Sequence, residues 1–307
     1  MPARTNAQTR RQAAATLAAD HDGVVHRADL RRIGVSRHDV RAEIEAGRWV
    51  SRGRHTVRVL SVEASARADL WTAVWESGWG AVLDGAAALV AQGMVGFDLP
   101  TIDVAVPKGS SVHRVEGVTT HERREVGPVV GSGVPRTRPE HALIRAAQWA
   151  RTDRQAALLV CLPVQQRLVR PASVLSAWAS VRRSPRRPLI GAVIADVCDG
   201  AHSLGELDFA RLCRTHRLPP PIRQSLRVSR SGRVYLDVEW DGLVVEIDGG
   251  HHLAGLNPMD DALRANEVVL DGTPVLRLPV LGLRLRPDAF MAQVARAVHR
   301  YVLPDVA

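Results

Sequence analysis

The sequence predicts a mixed α/β, multidomain chain, and three observations carry that prediction. The first sixty residues show helix-period apolar positions followed by a short alternating stretch around a glycine turn. The central stretch sets tryptophans at helical spacing beside strand-like runs such as TIDVAVP. The C-terminal part alternates apolar and acidic residues across an Asp-Gly pair, as a β-hairpin does, with helix-like segments on either side.

Composition fits this class. The 307 residues are 46% hydrophobic and 24% charged, as in a globular protein, and contain no apolar run of membrane-spanning length. The N-terminal stretch MPARTNAQTRRQAAATLAAD is basic but has no apolar h-region, which points to a cytoplasmic location and no membrane association. Cys161, Cys198 and Cys213 are odd in number and scattered, which suits small buried hydrophobes better than a disulfide framework or zinc knuckle. The net charge of +9 suits a polyanionic partner such as DNA. Lys108 is the only lysine, so the arginine excess also fits GC-rich coding, and the local distribution of charge is the more informative quantity.

Residues 1–60 read as three helices and a hairpin, a winged helix-turn-helix. QTRRQAAATLAAD forms the first helix, and HRADLRRIGVSRHDVRAEIEAG supplies two more, with Leu30, Ile33, Val35, Val40 and Ile44 facing inward. Gly34 makes the turn between them, Ser36 caps the helix that begins at Arg37, and Gly47 ends it. RWVSRGRHTVRV then alternates around Arg52-Gly53. In this arrangement Ser36, Arg37, His38 and Arg41 face DNA in the major groove, while Arg52 and Arg54 touch phosphates from the wing. Twelve arginines against six acids give the block a net charge of +6. The competing reading is a helical domain with a solvated basic face, which Asp39, Glu43 and Glu45 favour.

Residues 61–195 form a middle α/β region. Trp71, Trp75 and Trp79 at i, i+4 and i+8 predict a core-facing helical stripe. TIDVAVP and EGVTTHERR alternate as strands, and PEHALIRAAQWA reads as a helix. No Walker-type or GxSxG sequence occurs. Residues 154–195 hold seven arginines and no acid, which is either a basic linker or a phosphate-tracking surface, with the linker the safer choice.

Residues 196–307 carry the residues with chemistry. SLGELDFARLCRTHRL is an amphipathic helix, IRQSLRV a strand, RVYLDVEWDGLVVEID a hairpin, residues 260–271 helix-like, and PVLRLPV a further strand. A two-residue turn at Asp241-Gly242 pairs Trp240 with Leu243. Counting outward pairs Val238 with Val245 and Leu236 with Ile247 on an apolar side. The other side pairs Asp237 with Glu246 and Tyr235 with Asp248, and also holds Glu239. Opposed carboxylates repel, and a hard divalent cation such as Mg²⁺ or Mn²⁺ would neutralise them and activate water. A solvated polar face is the alternative.

Asp237 followed by Glu246-Ile247-Asp248, on antiparallel strands after a helix bearing Glu206, resembles the PD-(D/E)XK, restriction-endonuclease-like core. More closely, LDVEWDGLVVEIDGGHH is similar to the Vsr-like (very-short-patch-repair-like) endonuclease-domain family. The likeness continues through DDALRANEVVLDGTPVLRL, at Asp261, Arg264, Asn266, Gly272 and residues 275–277. Residues 24–59 and DVAVPKG resemble the AbiEi-type antitoxin winged helix and middle region that precede this domain in many such proteins.

The resemblance implies metal ligation by Asp237 and Glu246, with Glu206 as a third acid and His252, or else His251, as the acid/base group. Asp248 stands where the commoner pattern has lysine, and Arg264 is the nearest replacement cation. Ala265, Ala262-Leu263 and Trp240-Asp241 are further departures. Ser203-x-x-Glu206 is also a capping box, a purely local role for Glu206. Two functional readings lead at this level, ahead of a partner-binding protein with no nucleic-acid contact. One is a metal-dependent DNA endonuclease in defence or repair. The other is an inactive antitoxin or repressor that binds DNA through the winged helix and pairs with a cognate toxin.

Overall fold

The computed structural model describes residues 7–110, 113–198, 209–228, 234–248 and 274–303. The chain divides into two compact units, 1–146 and 147–307, so the middle region 61–195 is shared between them.

Unit 1 opens with α1 (Ala7–Ala19), β1 (Val24–His26), α2 (Arg27–Arg32), α3 (Arg37–Glu45), β2 (Trp49–Ser51) and β3 (Thr56–Val59). The strands form a sheet in the order β1-β3-β2, antiparallel throughout. Ala14, Ala18, Val25, Leu30, Val35, Val40, Trp49, Val57 and Val59 close one core beneath the helices. Ser36 caps α3, its Oγ accepting from Asp39 N while the Asp39 carboxylate accepts from Ser36 N, a reciprocal capping box. Gly34 and Gly47 take the positive φ values, 82° and 70°, that these turns require. The three-residue β1 is not visible in the sequence, because a strand that short has no periodicity and runs directly into α2.

Next come α4 (Ala68–Glu76), β4 (Val82–Leu83), α5 (Gly85–Ala91), β5 (Ile102–Pro107), β6 (Val118–Arg123), β7 (Val129–Val130), β8 (Arg136–Thr137) and α6 (Pro139–Trp149). Their sheet runs β6-β5-β4-β8-β7. The tryptophan stripe is corrected here. Trp71 is buried, but α4 ends at Glu76 and Gly78 turns the chain at φ 101°, so Trp79 leaves the stripe and is 93% exposed.

Unit 2 begins with α7 (Asp153–Gln165), α8 (Pro171–Ala179) and α9 (Arg187–Cys198). This corrects the linker reading of residues 154–195. Ala157, Leu159, Val160, Val174, Ile190, Val193 and Ile194 are buried, so the helices carry an apolar face that the arginine count obscured. The Cys161 thiol is pushed up to about 12 by burial, which keeps it protonated.

The rest of unit 2 is α10 (Phe209–Thr215), β9 (Arg223–Val228), β10 (Val234–Trp240), β11 (Leu243–Asp248), β12 (Val275–Pro279), α11 (Val280–Leu285) and α12 (Pro287–Tyr301). β9, β10 and β11 form an antiparallel meander, and β12 lies parallel to β11 at the sheet edge. One face of this sheet packs Leu236, Val238, Val245, Ile247 and Leu278 against Phe209 and Cys213 of α10 and Met291, Val294 and Val298 of α12. Asp196 of α9, fully buried, pairs with Arg284 of α11 at 3.1 Å, tying α9 to the C-terminal helices. Among the described residues no helix is long and apolar enough to cross a membrane.

Candidate functional site

The counted hairpin register is the observed one. Asp237 is paired with Glu246, Leu236 with Ile247, and Tyr235 with Asp248. Strand alternation sends Leu236, Val238, Val245 and Ile247 into the core and turns the carboxylates to the other face. The same row continues outward. Ser225 on β9 is the partner of Asp237, and Arg277 on β12 is the partner of Glu246. A line of Ser225, Asp237, Glu246 and Arg277 therefore crosses all four strands.

Asp237 is 3% exposed and Glu246 4%, so the two acids sit side by side largely out of water. Directly opposed side chains have Cβ atoms ~5 Å apart, and like charges at that spacing repel. Arg277 offsets part of this by donating from Nε to Glu246 Oε2 at 3.1 Å. The row thus sets two carboxylates beside one guanidinium. That donor set, anionic oxygens on rigid neighbouring strands, suits a hard divalent cation. Asp248 ends β11, opposite Tyr235 and beside Pro279 of β12. Glu206, His251, His252 and Arg264 lie outside the described residues. Among the described residues no group of three or more His, Cys, Asp or Glu side chains is placed to hold a metal.

Arg277 is the site residue that sequence reasoning missed. The run VLRLP was matched as a strand, while the cationic role went to Arg264. The parallel β11–β12 register would have been needed to put Arg277 beside Glu246, and sequence spacing alone does not supply it.

The second candidate surface is on unit 1. Arg37 and His38 are exposed on the first turn of α3 and make no ion pair among the described residues. Ser36 is exposed, with its hydroxyl held in the capping box. Arg41 is exposed and pairs with Glu45 at 2.8 Å. At the β2–β3 hairpin, Arg52 pairs with Asp69, and Arg54 donates from Nη1 to His113 Nε2 at 2.9 Å. Exposed pairs of this kind contribute at most ~1 kcal/mol, so a phosphate can displace them at little cost.

Glu76 is the other residue not singled out by the sequence. It is 7% exposed, and its carboxylate accepts from Arg54 N and His55 N, both at 2.8 Å, and from Thr56 Oγ1 at 2.7 Å. A Cβ on Gly53 would lie 2.4 Å from Glu76 Cδ, so the hairpin tip closes over the carboxylate only because residue 53 is glycine. Compared with known proteins, no family model matches this chain and no curated protein sequence matches it.

Proposed function

We propose that the chain is a DNA-binding protein of the cytoplasm whose C-terminal sheet carries a metal-dependent phosphodiesterase site of the Vsr-like, PD-(D/E)XK type. The observation that carries this reading is the buried, directly opposed Asp237–Glu246 pair on a meander whose fourth strand runs parallel to the third. Consecutive antiparallel strands carrying these acids after a helix are the arrangement the family resemblance implies. Asp237 and Glu246 would hold Mg²⁺ or Mn²⁺, which when bound supplies a Lewis acid and a water of lowered pKa. The half-exposed Arg277 guanidinium, at the end of the same row and hydrogen-bonded to Glu246, is the cation that would favour the extra charge developing on phosphorus-bound oxygens. Glu206, Asp248 and His252 belong to the proposed site, with His252 as the proton-transfer group.

Residues 1–60 are read as the DNA-binding winged helix. The order α1-β1-α2-α3-β2-β3, with β1 completing the hairpin sheet, supports this. So does the exposure of Arg37, His38, Arg41, Arg52 and Arg54. The test is cleavage of supercoiled, linear and single-stranded DNA with Mg²⁺ or Mn²⁺. Wild-type protein should nick or cut at least one substrate, and Asp237→Ala and Glu246→Ala should abolish it. Intact DNA in every wild-type reaction removes the nuclease reading.

One observation favours the alternative, a non-catalytic regulator of AbiEi type with a cognate toxin. The Arg277–Glu246 ion pair stabilises the acid row without any metal. On that reading the protein binds its promoter in a salt-dependent way that needs Arg37 and Arg41 but not Asp237. Unchanged promoter affinity in an Arg37→Ala/Arg41→Ala variant removes it.

A further inference from the structure

A cavity of about 650 Å³ opens in unit 1, within the size range of small-molecule sites. It is lined by His26 and Asp29, by Arg32 and His55, and by Trp75 and Trp79. None of these residues serves the acid row of unit 2.

Trp79 is the first unusual feature. It stands between Gly78 and Gly80, whose φ values are 101° and 75°, and this turn holds its indole 93% exposed. Its indole, unpacked against the protein, leaves a flat aromatic face at the cavity mouth that a planar ligand can stack on. Trp75 lies inside, edge-on to His26 with ring centroids 5.6 Å apart.

The histidines are the second feature. His26 Nδ1 accepts from Ala28 N at 3.2 Å, which fixes the neutral ring with its proton on Nε2. Burial, the largest influence on this ring, holds its pKa below the ordinary 6.5 and favours that neutral form. His55 stacks on His26 nearly face to face, with centroids 5.8 Å apart and planes at 11°. Among the described residues neither His26 Nε2 nor either ring nitrogen of His55 has a hydrogen-bond partner. The cavity thus presents aromatic faces and unused imidazole polar edges, and at its edge the exposed Arg32 guanidinium, which pairs with Asp29 and can exchange that surface partner for a phosphate at little cost.

We propose that this cavity binds a nucleobase, stacked on Trp79 and hydrogen-bonded by His26 and His55, with its phosphate toward Arg32. Such a ligand is planar, carries ring-nitrogen and carbonyl acceptors for an imidazole N–H, and brings a negative charge to the Arg32 guanidinium. A cationic aromatic ligand lacks the last two properties. The base can belong to a free nucleotide or to an unpaired position in a strand. The inference is independent of the Asp237–Glu246 site.

The test uses full-length protein in EDTA, so that no hydrolysis can occur, titrated by calorimetry with deoxynucleoside monophosphates and with short single-stranded oligonucleotides. Binding of the monophosphate identifies the base with its phosphate as the recognised unit, and binding of oligonucleotide alone identifies an unpaired base in a strand. In either case Trp79→Ala should weaken binding by roughly fivefold or more, the scale of one lost base–aromatic stack. Trp79→Phe should recover much of it. His55→Phe should weaken binding while keeping an aromatic ring at that position. Trp79 is solvent-exposed, so its variants should keep the wild-type thermal midpoint. No binding of either probe by wild-type protein overturns the proposal, as does oligonucleotide binding that Trp79→Ala leaves unchanged.

Discussion

Arg277 donates from Nε to Glu246 Oε2 at 3.1 Å across the parallel β11–β12 pair, while Asp237 faces the same Glu246 from the antiparallel side. Glu246 therefore lies between a like charge and an opposite one. Arg277 is 46% exposed on its side chain and Glu246 only 5%, so the guanidinium reaches a buried carboxylate from near the surface. Removing the arginine leaves two adjacent buried carboxylates without that cation.

Arg277→Met should lower the thermal midpoint by the equivalent of ~1 kcal/mol, a figure kept small because the arginine is half in water. Millimolar Mg²⁺ should restore more of that loss in the variant than it adds to wild type, since metal and guanidinium then neutralise the same acids. Glu246→Gln should remove the Mg²⁺ effect without the destabilisation. Midpoints that do not respond to Mg²⁺ in either protein would count against a cation site at this row.

Glu76 predicts a second stability result. Glu76→Ala strands two backbone N–H groups and a buried hydroxyl, each worth ~1 kcal/mol or more, so a loss of about 3 kcal/mol in chemical unfolding follows. Gly53→Ala should cost ~1–3 kcal/mol through overlap with the same carboxylate. The double variant should cost less than the sum of the singles, because Glu76→Ala removes the atoms that Gly53→Ala would strike. Strict additivity would show that the clash is not the cause.

These two sites were legible to different degrees for physical reasons. The Asp237–Glu246 pairing followed from counting, because a two-residue turn fixes register and a one-residue slip would expose Leu236, Val238, Val245 and Ile247. Arg277 was not legible, because a parallel strand is joined by a crossover and its register is set by packing rather than by a turn. Glu76 carries no local signal in the sequence, and only the fold brings the β2–β3 hairpin onto it. Trp79 was misassigned because periodicity ran past the glycine that ends α4. The helices of 153–198 were obscured by the arginines of this stretch, most of which lie in the connections between helices whose buried face is valine-, alanine- and isoleucine-rich. For Arg277 and Glu76 it was the long-range juxtaposition that the local pattern could not supply.

The α3 cap gives a third prediction. The Ser36 side chain and backbone, both hydrogen-bonded to Asp39, hold that carboxyl below its ordinary 3.8. A depressed carboxyl stabilises the fold above its unfolded value, and the contribution is lost as pH falls through its folded value. Ser36→Ala should lower stability at neutral pH by about 1 kcal/mol, as for other lost N-caps. It should also flatten the acid limb below pH 3.8, because the Asp39 carboxyl then moves toward its unfolded value. An unchanged acid limb in urea unfolding would separate the cap from the titration.

His26 gives the last prediction, and its sign is opposite to that of a histidine held by a salt bridge. Burial, outweighing attraction from Asp29, lowers its pKa below 6.5 in the folded chain, and His141 is lowered for the same leading reason. Below pH 6.5 the unfolded chain therefore binds protons that the folded chain resists. Stability is fully present above that value and declines as pH falls through the folded values of the two rings. His26→Asn keeps a side-chain acceptor at the α2 N-cap while removing the titration. Loss of the ring contacts with Trp75 and His55 should lower stability at every pH, so the slope is the informative quantity. Denaturant unfolding at a series of pH values should show a shallower decline below 6.5 in His26→Asn than in wild type, with His141 supplying the remainder. Parallel curves for the two proteins would mean that His26 is not neutral because of its burial.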